Sequence, residues 1–163
     1  MPMAEPSAPL APFTFLVGTW RCEAKIKSPD GTWQSFHAAW SGHYILDGHA
    51  IADEYRMLDA SGKTVVLGVN LRAYDSTNQS WNIKWLDALT GRWTDLGPER
   101  LGGVKIDGNS IAYIFEEPMV DHAYTRATYT LHSPTHFTWQ GEQSDDAKTW
   151  SQFMVVEAYR DGT

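Results

Sequence analysis

The side chains best suited to acid–base chemistry in this chain are a few carboxylates, of which Asp53 stands out. It lies in the stretch IADEYRM, where alternation along an extended chain puts it on one face with Ile51, Tyr55 and Met57. A carboxylate among such neighbours is costly to bury unless a cation or a hydroxyl pairs with it. Asp53 is therefore predicted to be a buried acid that needs an arginine or hydroxyl partner.

Arg126 is the expected partner, because Tyr124, Arg126 and Thr128 form a polar row in the second half of the chain. If this row faces the interior, the protein has a cation and several hydroxyls that suit an organic carboxylate. Asp53 or Glu142 would then be a candidate general base beside Arg126 and Tyr124.

The opposite orientation of the same segment is equally consistent with the residues. Ala127, Tyr129 and Leu131 would then fill the core, and Arg126 would be an ordinary surface charge. The sequence leaves both arrangements open.

Three histidines, His37, His43 and His49, are close together in sequence and raise the question of a metal site. Alternation puts His37 and His43 on the face opposite to Phe36 and Trp40, so they should point to solvent. No metal site and no cofactor are predicted.

Composition narrows the classes of partner. The net charge is -7, from 20 acidic and 13 basic residues. The basic residues are scattered, so nucleic acid and anionic membranes are not expected as partners. The single Cys22 permits no internal disulfide and fits a reducing compartment, and no signal peptide or apolar run of membrane-spanning length is visible. A cytoplasmic protein is predicted.

Period-two alternation between turn residues recurs along the chain, which predicts an all-β fold. The predicted strands are 17–28, 32–45, 49–58, 63–74, 80–88, 91–96, 99–106, 109–117, 121–132, 135–144 and 148–160. The short connections join antiparallel neighbours, so the strands form an up-and-down meander of about ten strands. Residues 1–12, rich in proline, are expected to be a flexible segment before a single domain at 13–163.

The first hairpin fixes a register. Pro29-Asp30-Gly31 suits a three-residue loop with Gly31 in the left-handed conformation, which places Ser28 opposite Thr32. Trp20 then lies opposite Trp40, on a face shared by large and small residues of both strands.

Two neighbouring segments in the middle of the chain each present one apolar face, which we assign to the interior. In the second segment this face consists of Trp81, Ile83 and Trp85. In the first segment the apolar residues are Val65, Leu67, Val69 and Leu71. Its polar face, made of Gly68, Asn70, Arg72 and Tyr74, is then expected to point outward.

A meander exposes two edges unless the last strand pairs with the first and closes a barrel. In that arrangement Arg160, near the end of the last strand, stands beside Trp20, near the start of the first. A guanidinium over an indole contributes about 0.5–2 kcal/mol. We expect Gly18, Trp20 and Arg160 to form a structural lock of the barrel.

The last strand is apolar on both sides, since Phe153, Val155 and Tyr159 alternate with Met154, Val156 and Ala158. A barrel strand needs only its inner face covered. The second apolar face therefore predicts contact with the N-terminal segment or a homodimer.

Gly18-Thr19-Trp20 and Arg160 resemble the corresponding positions of the calycin superfamily, the lipocalins and their relatives. Three further stretches, ILDGHAIADEYR at 45–56, LRAYDSTNQSWNIKW at 71–85 and SDDAKTW at 144–150, resemble a bacterial family of lipocalin-like barrels of unknown function. The resemblance covers about residues 13–160. It implies a barrel with an internal cavity that holds small apolar molecules, and it carries over no catalytic residue.

A more distant resemblance is to the haem-binding nitrobindin barrels, whose opening is similar to LAPFTFLVGTWRCE. The glycine-rich run that follows in those proteins is replaced here by EAKIKSPDG. The resemblance would imply a late histidine as the iron ligand, for which the candidates are His122, His132 and His136.

The function predicted from these observations is binding of a small apolar or amphipathic molecule inside the barrel. The alternatives are an enzyme that uses the cavity carboxylates with Arg126, a structural barrel packed solid, and a haem-binding protein. The predicted ligand-binding residues are Phe36, Trp40, Asp53, Tyr55, Trp85, Tyr113, Tyr124, Arg126 and Trp139.

Overall fold

The computed structural model describes residues 8–116 and 122–161. These residues form eleven β-strands and three short 3-10 helices, at Ala8–Leu16, Leu46–Gly48 and Glu99–Leu101. The strands are β1 (Gly18–Lys27), β2 (Trp33–Ile45), β3 (Ala50–Leu58), β4 (Thr64–Asp75), β5 (Ser80–Asp87), β6 (Arg92–Leu96), β7 (Lys105–Asp107), β8 (Ser110–Glu116), β9 (Tyr124–Ser133), β10 (His136–Ser144) and β11 (Ser151–Arg160). Within the described residues, no helix combines the length and the apolar character needed to cross a bilayer.

All eleven strands belong to one antiparallel sheet in the order β6-β5-β4-β3-β2-β1-β11-β10-β9-β8-β7. The predicted all-β meander is confirmed, and β1 pairs with β11 as expected. The sheet curls until β6 approaches β8, where the Gly97 N–H donates to the Ile114 carbonyl at 3.2 Å. The barrel is therefore continuous through β1 and β11, and its seam lies between β6 and β8.

The predicted strand at 99–106 is wrong for most of its length. Glu99–Leu101 is a 3-10 helix, and strand structure begins only at Lys105. Gly102 and Gly103 between them have φ values of 99° and 67°. This left-handed backbone cannot continue a pleated strand, so the meander is interrupted where the seam forms.

The register predicted for the first hairpin is confirmed. Gly31 has a φ of 88°, and the Ser28 N–H donates to the Thr32 carbonyl at 2.7 Å. Trp20 pairs with Trp40, so both indoles lie on the inner face.

The contact between the two ends of the barrel also forms as predicted. Arg160 pairs with Trp20 across β1 and β11, with its Cζ 4.3 Å from the centre of the indole ring. Its guanidinium donates to the carbonyls of Val17 at 3.0 Å and Phe15 at 3.2 Å. Gly18 has a φ of 122°, and a Cβ there would overlap Arg160 Nη1. The lock therefore holds the N-terminal segment as well as the two strands.

Residues 8–12 of the segment expected to be flexible are ordered in the Ala8–Leu16 helix, and residues 1–7 lie outside the described residues. Leu10, Phe13 and Leu16 are fully buried. The Phe13 ring meets Trp81 edge-on at 4.8 Å between ring centres. The apolar residues between the prolines thus cover the end of the barrel where β1 begins, which is why this part of the segment is packed.

The assignment of the two faces of β4 is wrong. Asn70 and Arg72 are buried, whereas Leu67 and Val69 are half-buried on the outer face. The cause is a register shift, because Leu58 pairs with Thr64 but Met57 pairs with Val66, which leaves one extra residue in β4. A single inserted residue reverses the facing of every side chain beyond it. The apolar face of β5 does point inward as predicted, with Ile83 buried.

Cys22 lies deep on the inner face of β1, and burial raises the pKa of its thiol to about 12. Only the thiolate reacts rapidly with disulfide reagents, so at about pH 8 the folded protein should present almost no reactive sulfur. We expect negligible reaction of the native protein with a thiol-reactive disulfide dye, and one thiol per chain after denaturation in guanidinium. Rapid stoichiometric labelling in native buffer would contradict the buried position of Cys22.

Candidate functional site

The barrel contains a cavity of about 320 Å³ whose wall is mainly apolar and aromatic. The residues that line it come from β1 to β6 and from β8 to β11. The structure places five of the predicted ligand-binding residues in this wall, namely Trp40, Tyr55, Trp85, Tyr113 and Trp139. That these five bind a ligand stays a prediction.

Phe36 lies on the inner face of β2 but packs against the hydrophobic core outside the cavity wall. Phe153, which the sequence does not mark as a site residue, also lines the cavity. The reason is a second shift of register, between β10 and β11. Gly141 pairs with Met154 and Glu142 with Gln152, so Phe153 is an extra residue in β11. Phe153 and Met154 therefore both line the cavity.

The predicted role of Arg126 and Tyr124 in the cavity is not supported by their positions. Arg126 lies on the outer face, where its Nε donates to Glu142 Oε1 at 2.9 Å and its Cζ lies 4.5 Å from the Trp150 ring centre. Tyr124, two residues away, is half-buried outside the wall. Alternation along β9 requires this, because Ala127 and Tyr129 are buried on the inner face. The outward arrangement of the polar row is the one that forms.

Asp53 is a fully buried acid, as predicted, but its partner is Arg72 of the adjacent strand. Arg72 Nε and Nη2 donate to the two carboxylate oxygens at 2.7 and 3.1 Å. Trp40 Nε1 and Asn70 Nδ2 each donate to Oδ2 at 2.8 Å. Burial alone would lower the pKa of Arg72, but the charge and hydrogen bonds of Asp53, together with Tyr129 and Tyr113, outweigh burial and raise this pKa well above its ordinary value. Arg72 is therefore charged, and its guanidinium forms an ion pair with Asp53 inside the barrel wall.

The network continues from the ion pair toward the cavity. Arg72 Nη2 donates to the Tyr129 hydroxyl at 2.9 Å, and that hydroxyl lies 3.1 Å from the hydroxyl of Tyr113. Burial raises the pKa of Tyr129 well above its ordinary value, so the phenol stays protonated. On the other side, the Phe13 ring covers the guanidinium at 4.6 Å. Asn70, Tyr113 and Tyr129 reach the cavity wall, whereas Asp53 and Arg72 do not.

Two further polar residues line the cavity. Asp87 pairs with Gly68 and Arg92 at the ends of the strands, and its carboxylate accepts the Leu89 N–H at 2.9 Å. Thr125 is buried, and its hydroxyl has no hydrogen-bond partner among the described residues. A buried hydroxyl without a partner is unusual, and here it belongs to the wall of a cavity.

Sequence reasoning missed Asn70, Arg72 and Tyr129 as parts of the site. A usable signal for Arg72 was its spacing of two residues from Asn70, which indicates that both share one face with a common polar partner. Asp53 required such a partner. The choice between Arg72 and Arg126 depended on the register of β3 and β4.

The histidines do not fit a haem site of the kind implied by the nitrobindin resemblance. All six lie within the described residues, and none lines the cavity. His136 contacts Glu157 at 2.6 Å, His132 contacts Thr138 at 2.6 Å and His122 contacts Asp145 at 3.0 Å. The residues present therefore offer no axial imidazole to a group inside the barrel.

Comparisons of structure find barrels of similar topology at very low sequence identity. Rv2717c from M. tuberculosis matches with a TM-score of 0.67 and 9% identity, over 96% of this chain and 99% of that one. The S-type phycobiliprotein lyase CPES from Guillardia theta matches with a TM-score of 0.60 and 10% identity, over 93% and 91% of the two chains. At these identities the likeness shows the fold alone.

Comparisons of sequence identify a family for this chain. No curated protein matches the chain. The profile of a family described as a protein of unknown function, DUF1579, matches residues 5–160, which include every strand of the barrel. This chain therefore belongs to the DUF1579 family.

Proposed function

We propose that this protein binds a small, mostly apolar molecule in the cavity of its barrel. The observation that carries the proposal is the cavity itself, about 320 Å³ with a wall of large aromatic rings and a few polar groups. Volumes of about 300–1,000 Å³ with such a wall are typical of small-molecule sites. The unpartnered Thr125 hydroxyl in the wall adds a group that a ligand could satisfy.

A lipocalin-like relationship is part of the same proposal. It is supported by the contact between Trp20 and Arg160 at the join of β1 and β11, and by the Ala8–Leu16 helix packed at the end of the barrel where β1 begins. The likeness to the phycobiliprotein lyase supports the barrel fold. The proposed nature of the ligand is argued from the residues of the cavity wall.

Two of the three alternative functions, the packed structural barrel and the enzyme, have less support. A barrel packed solid would leave no cavity of this size. The two carboxylates predicted as candidates for the general base do not present a free oxygen to a substrate in the cavity. Asp53 instead uses both oxygens on Arg72, Trp40 and Asn70, and Glu142 pairs with Arg126 outside the barrel.

Filling the cavity tests the proposal. We expect 2-methylnaphthalene to bind the wild-type protein saturably, as measured by ligand-observed NMR. Ala127 lines the cavity, so Ala127→Leu should place three extra carbons in the binding space and weaken binding by about tenfold or more. Ala39 is exposed on β2, and Ala39→Leu is the matched control that should bind like the wild type.

Two results would contradict the proposal. If neither 2-methylnaphthalene nor methyl 2-naphthoate binds the folded wild-type protein saturably, or if Ala127→Leu binds as well as Ala39→Leu, the cavity is not a binding site. Circular dichroism of each variant confirms that the barrel is folded.

A homodimer also stays a prediction. Phe153 turns inward, so the outer apolar residues of β11 are fewer than expected from the sequence. A different outer surface supports self-association, because Val69, Leu86 and Trp93 stand in register across β4, β5 and β6, with Trp93 56% exposed. Native mass spectrometry measures the subunit number directly. The cytoplasmic location likewise stays a prediction.

A further inference from the structure

The geometry points to a specific ligand class: a neutral aromatic molecule that carries a hydrogen-bond acceptor, such as an aromatic ester, ketone or aldehyde, in preference to a carboxylate. This inference rests on the proposed function, because it names what the cavity selects. It is carried by the charge of the wall and by the direction of the hydroxyl protons around Tyr113.

The wall of the cavity contains no cationic side chain among the described residues. Among the described residues that line the cavity, Asp87 is the only one with a carboxyl group, and none is a lysine, an arginine or a histidine. Arg72 is the buried cation of the hydrogen-bond network, but it does not line the cavity, and it is paired with Asp53. Its Nη1 has no partner among the described residues, yet the Phe13 ring covers that guanidinium at 4.6 Å. A carboxylate in the cavity would therefore lose its hydration without gaining a cation.

The hydroxyl pair sets the direction of the hydrogen bonds. The Tyr129 oxygen accepts an N–H from Arg72 Nη2 at 2.9 Å, so the Tyr129 proton is directed elsewhere. Among the described residues, the acceptor within reach of that proton is the Tyr113 oxygen at 3.1 Å. Whichever oxygen donates across this contact, one of the two hydroxyl protons is left for another acceptor. The Arg72 N–H on the Tyr129 oxygen makes Tyr129 the stronger donor, which favours Tyr113 as the residue that keeps its proton. Tyr113 lines the cavity, so that proton is available to a ligand.

Thr125 supplies a second hydroxyl donor in the wall. It is 1% exposed, lines the cavity, and its Oγ1 has no hydrogen-bond partner among the described residues. A hydroxyl in this position is left unsatisfied until a ligand or a water reaches it. Two unpaired O–H donors in one cavity favour a ligand that presents oxygen or nitrogen acceptors.

The remainder of the wall favours a flat apolar body. Trp40, Trp85 and Trp139 present large rings to the cavity, and the Trp85 ring lies over Gly68, where a Cβ would overlap it. Aromatic rings stack or meet edge-on with such surfaces more favourably than flexible chains do. Together these features predict a neutral aromatic acceptor.

A matched set of three probes tests the selection: methyl 2-naphthoate, 2-naphthoate and 2-methylnaphthalene share one ring system and differ in charge and acceptor. We expect the ester to bind the wild-type protein about 5- to 10-fold more tightly than the hydrocarbon, and more than about tenfold more tightly than the carboxylate. Binding of the carboxylate as tight as that of the ester would overturn the inference.

Three variants assign the selection to residues. Tyr113→Phe and Thr125→Val each remove one hydroxyl at nearly constant volume, so at least one should reduce ester binding about 2- to 10-fold while hydrocarbon binding stays unchanged. Tyr124→Phe removes a tyrosine hydroxyl on the outer strand face and should change neither. If the hydrocarbon binds but both wall variants keep full ester affinity, the inference fails and the proposed function stands. If none of the three probes binds the wild-type protein, the proposed function fails as well.

Discussion

Asp53→Asn is expected to lower the free energy of unfolding by about 3–5 kcal/mol, the typical cost of removing one partner from a buried ion pair. Arg72 would keep its charge, because a guanidinium is not deprotonated in proteins, and it would be fully buried without a counter-ion. The hydrogen bonds from Trp40 and Asn70 would also lose their charged acceptor. Urea denaturation followed by tryptophan fluorescence measures the change.

The surface of the barrel offers a matched control. Arg100 holds Glu116 through two hydrogen bonds of 2.8 and 3.0 Å, the same kind of paired geometry, but both side chains are exposed. Glu116→Gln should therefore leave the unfolding free energy nearly unchanged, because solvent screens the pair. If Asp53→Asn is as mild as Glu116→Gln, the buried pair is not a structural element of this barrel.

A double variant separates the effect of leaving one buried charge unpaired from the effect of losing the ion pair itself. Asp53→Leu combined with Arg72→Met replaces both charges by apolar groups of comparable volume, which in other buried pairs is close to neutral or even stabilising. We expect the double variant to be more stable than Asp53→Asn alone. A double variant less stable than the single one would mean that the hydrogen bonds to Trp40, Asn70 and Tyr129 matter more than the charge pair.

Phe13→Ala is the second large effect, with an expected loss of about 3–5 kcal/mol in the unfolding free energy. The ring is fully buried, meets Trp81 and Tyr129, and covers the Arg72 guanidinium. Its removal would leave an empty space at the closed end of the barrel and open a path for water to the ion pair. Thermal unfolding followed by circular dichroism, with urea denaturation for the free energy, measures the loss.

Two further substitutions are controls for Phe13→Ala. Phe13→Leu keeps most of the apolar volume and should cost less than about 1.5 kcal/mol. Leu46→Ala truncates a side chain that is 72% exposed in the turn after β2, so it should have little effect. If Phe13→Ala costs no more than Leu46→Ala, the N-terminal helix does not seal the barrel.

Features that depend on neighbours in sequence could be predicted without the structure. Alternation marked most of the strands, and the Pro29-Asp30-Gly31 loop set the register that pairs Trp20 with Trp40. The join of Trp20 to Arg160 followed from the short antiparallel connections, because a closed sheet of hairpins brings its first and last strands together. A loop type and a two-residue period are local properties, so the sequence by itself determined the all-β class, the first register and the lock.

The interior of the site was decided by the tertiary structure. One extra residue near Val65 places the polar face of β4 inside and its apolar face outside, against the rule that apolar faces are buried. The same shift gives Asp53 its partner in Arg72, whereas alternation along β9 places Arg126 on the outer face, where it pairs with Glu142. A shift of one residue in strand pairing is not fixed by local preference, since both registers satisfy the same alternation. What selects one register is the sum of contacts between distant segments. Here these contacts are Asp53 with Arg72, Arg72 with Tyr129, and the Phe13 ring over Arg72. Those contacts exist only once the barrel has closed around them.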